Sequence, residues 1–532
     1  MAASRRIDPS YIPRWGERVS RRRLISVALT GVLLTGVTAY FAETSSVSDE
    51  PVAAAQIDGT ALDQLTIPEF QAKRGRGATT SVALTKAYLK RINDLNPKLH
   101  AVIVVNDKAL DEAKASDGRK RRSPMDGVPV LLKDNIDTAD LPTTAGSRAL
   151  NDSRPKKDAE LVRRLRAAGA VILGKANLSE WANFRAAKPT SGWSANGGLT
   201  ANPYVLDRNA CGSSSGSGAS VAASLAQVAI GSETDGSIVC PAGMNGLAAV
   251  KPSLGLVSGA GVVPISAEQD TAGPMARHVI DAALTLNAIR GGTADFATAD
   301  ANVLRGARIG VWRLPVVGED ADRVLTESVK VLESLGATAV PVEVPYQERI
   351  GELEFPALLT EFRRDINKYL ATRDGKNKTL ADLIEYNKND RLEQTCFPGQ
   401  ELFEQAEQAP RPDDPQYQKN RAELTDLAKR SIDETIEAND LDAIVSPTNP
   451  PAWISDCARG DNDIIPSSTP AAVSGYPHVV VPAGFGGPQR ALPIGLSLFA
   501  GNFTDAKLLA IGAAFEHAHP VRKAPTLLPT VG

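Results

Sequence analysis

Histidine is scarce in this chain, at five in 532 residues, and neither HExxH nor Cys-x-x-Cys occurs. Zinc is held by His and Cys at such short spacings, so a zinc centre has little to stand on. No metal or cofactor is expected. An excess of charge of one sign is lacking too: 59 basic residues face 62 acidic ones, for a net charge of -3. That balance gives no field suited to a polyanion and argues against a nucleic-acid partner. The four cysteines, Cys211, Cys240, Cys396 and Cys457, are too few for a disulfide scaffold at this length. What is present is ample core material: 42% of the residues are hydrophobic, enough for one large domain or two to three smaller ones.

The first 55 residues differ from the rest. Arg14, Arg18, Arg21, Arg22 and Arg23 precede an apolar stretch from Leu24 to Ala42, and Ala53 to Ala55 offers a cleavage site. A basic region before an uncharged apolar run reads as an export signal, with retention as a membrane anchor the second reading. The segment Ser20-Arg21-Arg22-Arg23-Leu24-Ile25 resembles a twin-arginine signal, which carries folded proteins across a bacterial membrane. The expected location is periplasmic or extracellular, with membrane contact only through this segment, and residues 56–532 form the expected mature domain.

Along that domain, apolar spacing predicts helices over Thr79–Ile92 (Thr80 or Ser81 as N-cap), Asp158–Ala168 (ended by Gly169), Asp322–Leu335 and Leu508–Glu516. Strands are expected at Val128–Leu132, Val171–Leu173, Arg308–Trp312, Thr338–Val342, Asp442–Ser446 and His478–Val481. Ala219–Ile230 reads as a buried central helix. Residues 355–435 are more charged and mostly helical, with loops at 374–378 and 413–419, and are expected to lie over the sheet as a substrate-side layer. The alternation favours an α/β fold.

The chemistry centres on two glycine-flanked serines, Ser213 in CGSSSGSG (211–218) and Ser237 in GSETDGSIVCP (231–241), with Lys133 upstream in LLKDN. A serine hydroxyl needs a base within reach, and a lysine can serve once burial makes it neutral. Ser237 is the better nucleophile, Lys133 the candidate base and Ser213 a candidate proton relay. The backbone from Thr234 through Asp235 and Gly236 to Ser237 could hold an oxyanion. The Asp235 carboxylate is unfavourable there unless it points away. A phosphate loop would want a lysine after the glycines, which is absent. Gly212 to Gly216 satisfies G-x-S-x-G with Ser214 at its centre, but His478, His517 and His519 offer no obvious triad partner.

These segments, with GVPVLLKDNID (127–137), DAELVRRLRAAGAVILGKANLSEWA (158–182), DTAGPMAR (270–277), DAIVSPTNP (442–450), SGYPHVVVPAGF (474–485) and LPIGLSLFAG (492–501), resemble the amidase signature family over nearly everything after the leader. The two serines stand 24 residues apart, the family's spacing. The resemblance implies a single α/β/α sandwich around a large mixed sheet, and hydrolysis of carboxylic amides without a metal. It also implies a Ser, cis-Ser, Lys triad of Ser237, Ser213 and Lys133, oxyanion backbone at Thr234, Asp235 and Gly236, and Ser214 in support. ETDGS stands where most members carry DTGGS, and Ile238-Val239-Cys240 where Ile-Arg is common, so a different pocket shape is expected. These variants, with NPY (202–204), SAEQDTAGPMAR (266–277) and TLADLIEYN (379–387), are most similar to bacterial peptide amidases, which release ammonia from C-terminal amides.

The expected partner is therefore a small-molecule or short peptide amide. Ester or anilide hydrolysis on the same serine, the transamidase subunit that makes glutaminyl-tRNA, and a non-catalytic exported binding protein are the competing readings. An export signal argues against the transamidase, and an intact triad against the binder. Cys211 and Cys240 are expected to be small buried groups at the pocket, with Cys396 and Cys457 the pair to suspect if any disulfide forms. Phe362, Tyr369 and Phe397 are candidate apolar contacts, with core packing the more ordinary role.

Overall fold

Short runs of β-branched and aliphatic residues between glycine-marked turns build one mixed sheet of eleven strands. The computed structural model describes residues 55–532 apart from 292–294, 298, 299, 301, 397, 398 and 463. The expected leader and Phe397 lie outside the described residues. In chain order the strands are β1 (Val102–Val105), β2 (Pro129–Lys133), β3 (Val171–Ala176), β4 (Val228–Glu233), β5 (Ala248–Lys251), β6 (Thr271–Ala276), β7 (Arg308–Trp312), β8 (Thr338–Val342), β9 (Ala443–Pro447), β10 (His478–Gly486) and β11 (Leu492–Phe499). Their order across the sheet is β8-β7-β9-β11-β10-β5-β6-β4-β2-β3-β1. Two parallel triplets, β8-β7-β9 and β4-β2-β3, flank antiparallel strands. Every residue of β2, β3 and β4 is buried, because helices cover both faces of this part of the sheet.

Local signals set the helix ends. Thr80 caps the helix Ser81–Leu99 by accepting from the Ala83 N–H at 3.0 Å. Gly169, at φ +92°, ends Glu160–Ala168 in the left-handed conformation that glycine adopts without strain. Ala219–Ile230 is not one helix: Ser215–Ala222 is helical and the chain re-enters the sheet as β4 at Val228. A strand buried on both faces shows no polar alternation, and a small apolar run reads equally as helix.

Between β8 and β9 the chain forms helices Gln347–Leu370, Leu380–Asn389, Glu401–Gln408 and Pro415–Asn439. The expected loop at 413–419 ends at Asp414, whose side chain caps the last of these, with Pro415 in its first turn. Ile432 shares a buried cluster with Trp312, Val342 and Ile444, which ties this layer to the sheet. Phe362 and Tyr369 are core residues: Phe362 stacks on Phe403 at 5.2 Å, and the Tyr369 hydroxyl donates to Asp137. Cys396 is disulfide-bonded to Cys457, joining the layer to the loop after β9. Cys211 and Cys240 are also bonded to each other rather than standing as separate thiols. Their separation of 29 residues says nothing about distance in space, so the sequence could not show the pairing.

Candidate active site

Because β2 and β4 are parallel neighbours, their carboxyl ends open at the same edge of the sheet. Lys133 is the last residue of β2, and its apolar predecessors Val130, Leu131 and Leu132 carry it into the interior, where it is fully buried. Its Nζ lies 2.7 Å from Ser213 Oγ and 3.0 Å from both the backbone oxygen and Oγ of Ser232, near the end of β4. Three partners match a neutral amine, which donates twice and accepts once. In that form the two N–H groups go to Ser232 and the Ser213 hydroxyl donates to Nζ. Burial favours that form, pulling the Lys133 pKa down to about 7 against the opposing pull of Asp270 and Glu233.

Ser213 follows a cis peptide bond from Gly212, and its carbonyl accepts from the Ser179 N–H at 3.0 Å. Ser214 is a brace: its hydroxyl donates to the Ser232 carbonyl at 3.1 Å and accepts from the Ser232 N–H at 3.2 Å. Its own N–H donates to the Ser237 carbonyl at 3.1 Å, which brings the two serine segments side by side. The Cys211–Cys240 disulfide joins the same two segments covalently. Ser237, 8% exposed, has a hydroxyl with no hydrogen-bond partner among the described residues and makes no direct bond to Ser213. A proton relay therefore requires the Ser237 hydroxyl to come within hydrogen-bond reach of Ser213 Oγ.

The turn before Ser237 is held on all sides. Thr234 donates its hydroxyl to Asp270 at 2.5 Å. Asp235 turns its carboxylate away from the turn, onto the hydroxyls of Ser468 and Thr469. Gly236 sits at φ +79° beneath Ile465, whose Cδ1 would stand 2.3 Å from an added Cβ. The backbone N–H groups of Thr234, Asp235, Gly236 and Ser237 meet no protein acceptor among the described residues. Glu233 caps the helix Val239–Met244, accepting from the N–H groups of Ile238 and Val239 at 2.6 and 2.9 Å.

Two further polar residues belong to the site although the sequence does not mark them, even within the segments it singles out. Ser232 is the second anchor of Lys133, and Asn135 donates to Ser232 Oγ at 2.8 Å. Asn135 also lines a narrow pocket with Ala145, Trp181, Ala182, Val263, Pro264 and Ile265, in which Asn135 Oδ1 and Trp181 Nε1 are buried without partners. Their signal in the sequence is only adjacency to Lys133 and Ser237. His478 is the buried first residue of β10, where burial pulls its pKa down to about 3, and it has no place in a serine-histidine triad here.

The family model described as Amidase matches residues 83–509. A probable amidase of Arabidopsis thaliana is 38% identical over 88% of this chain and 92% of its own length. A glutamyl-tRNA(Gln) amidotransferase subunit from Chloroflexus aggregans is 32% identical over 86% and 97%. Among solved structures, the native peptide amidase of Stenotrophomonas maltophilia superposes with a TM-score of 0.83 at 43% identity, covering 87% of this chain and 98% of that one. The amidotransferase subunit of Thermotoga maritima gives 0.62 at 25% identity, over 88% and 98%. With the fold, the matched segments and these relatives in agreement, the chain belongs to the amidase signature family and is an amidase, a hydrolase of carboxylic amides.

Proposed function

We propose that this amidase releases ammonia from the C-terminal amides of short peptides, with Ser237 as nucleophile, Ser213 as proton bridge and Lys133 as general base. The observation that carries the chemistry is the fully buried contact between Lys133 Nζ and Ser213 Oγ. A lysine held near neutrality at that place can take a proton at physiological pH. The substrate class rests on the 43% identity to a peptide amidase over nearly that protein's whole length. Asn135 Oδ1 and Trp181 Nε1 supply an acceptor and a donor of the kind that a peptide backbone engages.

In this reading Ser237 Oγ attacks the amide carbon, its proton passes to Ser213, and the Ser213 proton passes to Lys133. The oxyanion forms against the N–H groups of the turn from Thr234 through Asp235 and Gly236 to Ser237. The C–N bond then breaks, the proton returns along the same path, and ammonia leaves. Water attacks the acyl-enzyme by the same relay, freeing the acid and Ser237. The basic, apolar leader supports export of the folded enzyme, with N-terminal sequencing of protein recovered outside the cytoplasm as its check.

The test is ammonia release from peptide amides, short aliphatic amides, aromatic amides and free glutamine by wild type and Ser237→Ala. The expected result is Ser237-dependent release confined to peptide amides. Equal turnover of simple amides would overturn the substrate class, and activity surviving in Ser237→Ala would overturn the nucleophile.

A further inference from the structure

Gln269, two residues before β6, is 1% exposed and joins the catalytic turn to the helical layer. Its Nε2 donates to the Thr234 carbonyl at 3.3 Å and to Glu354 Oε1 at 2.9 Å. Its Oε1 accepts from Arg421 Nη1 at 3.0 Å. Arginine can only donate, so the oxygen end of the amide must face Arg421 and the nitrogen end must face Thr234 and Glu354. The orientation of this side chain is thus dictated by its neighbours.

The consequence lies one peptide plane away. In a trans peptide the carbonyl and the following N–H point in opposite directions. The Thr234–Asp235 bond is trans, so holding the Thr234 carbonyl toward Gln269 turns the Asp235 N–H the other way. That N–H has no protein acceptor among the described residues, while the Asp235 side chain is tied to Ser468 and Thr469. A donor on the carbonyl also polarises the peptide and strengthens its N–H as a donor.

We infer that Gln269 is a positioning residue for hydrolysis: by holding the Thr234 carbonyl it aims the Asp235 N–H at the oxygen of the tetrahedral intermediate. This rests on the reading of Ser237 as nucleophile. Glu354, from the helix Gln347–Leu370, and Arg421, from Pro415–Asn439, fix the amide, so the helical layer contributes to the oxyanion site without touching substrate.

A glutamine that only filled buried space would affect substrate and transition state alike. The test therefore compares kcat with KM in Gln269→Leu and in the similarly sized Gln269→Met, neither of which can donate to the Thr234 carbonyl. It also compares the affinity of a peptide aldehyde, which forms a hemiacetal on Ser237, with that of the matching peptide alcohol, which forms none. Both variants should lower kcat about 10- to 100-fold with KM within about twofold, and weaken the aldehyde by a similar factor while the alcohol holds. An unchanged kcat, or equal weakening of aldehyde and alcohol, overturns the role. If Gln269→Leu does not fold, Gln269→Met carries the comparison. Activity in a parallel Ser237→Ala variant would instead remove the reading beneath it, whereas an inactive Ser237→Ala beside a full-rate Gln269→Leu would sink the positioning role alone.

Discussion

Replacing Lys133 with methionine should abolish activity and yet stabilise the fold at neutral pH. Burial lowers the Lys133 pKa from 10.5 to about 7, so between those two pH values the unfolded chain binds more protons than the folded one. The sign follows: this residue destabilises the folded state at neutral pH, and the penalty fades as pH rises toward 10.5. At about 1.36 kcal/mol per pKa unit the penalty is about 4 kcal/mol near pH 7 and about 2 kcal/mol near pH 9. Methionine removes it but also removes three hydrogen bonds, to Ser213 Oγ and to the oxygen and Oγ of Ser232. At about 1 kcal/mol each, that loss leaves a net gain of about 1 kcal/mol at pH 7 and a net loss of about 1 kcal/mol at pH 9. Urea unfolding of both proteins at the two pH values, followed by tryptophan fluorescence, measures the difference. The reasoning is refuted if the stability difference is independent of pH, since only the hydrogen-bond loss would then remain.

The same pKa sets an acid limb in kcat/KM for a peptide amide near pH 7, falling about tenfold per unit below it. A rate still climbing at pH 9 would mean that Lys133 is an ordinary lysine. Converting Cys211 and Cys240 together to alanine opens a link across 29 residues and should cost about 3–4 kcal/mol in urea unfolding, with a fall in kcat as the serine segments lose their tether. Gly236→Ala adds about 1–2 kcal/mol of strain at φ +79° and presses on Ile465, so its kcat should drop more than its stability accounts for. Steady-state kinetics beside thermal melts would check this, and an Ala variant with normal kcat would contradict the tight seating of the turn.

How much of the molecule is legible in the sequence depends on which signals are local. Arg308–Trp312 and Thr338–Val342 read as strands because glycine and charge punctuate both ends of the helix between them. The region from Ala219 to Ile230 reads wrongly as one helix because small apolar residues satisfy helix and buried strand alike, and only pairing with β2 and β6 decides. Asp414-Pro415 carries a helix start that charge-rich surroundings mask. In the site, Lys133, Ser213, Ser214 and Ser237 stand out through their glycine-rich or apolar settings, and the structure gathers them around Ser232. Ser232, Asn135 and Gln269 do not stand out, since each acts through a partner 35 to 152 residues away in sequence, and nothing in the chain announces such a pairing. The Cys211–Cys240 bond is hidden for the same reason.

The seclusion of Ser237 also bears on self-preservation. An enzyme that opens carbon-nitrogen bonds is surrounded by peptide bonds, its own included, and chemistry alone does not distinguish a terminal amide from one in the middle of a chain. On the proposed reading, a nucleophile 8% exposed beside a fully buried base should be reached by a slender free end far more readily than by the broad backbone of a folded neighbour. If Ser237 is the nucleophile, its seclusion shields the proteins around it, and a folded protein incubated with this amidase should emerge uncut.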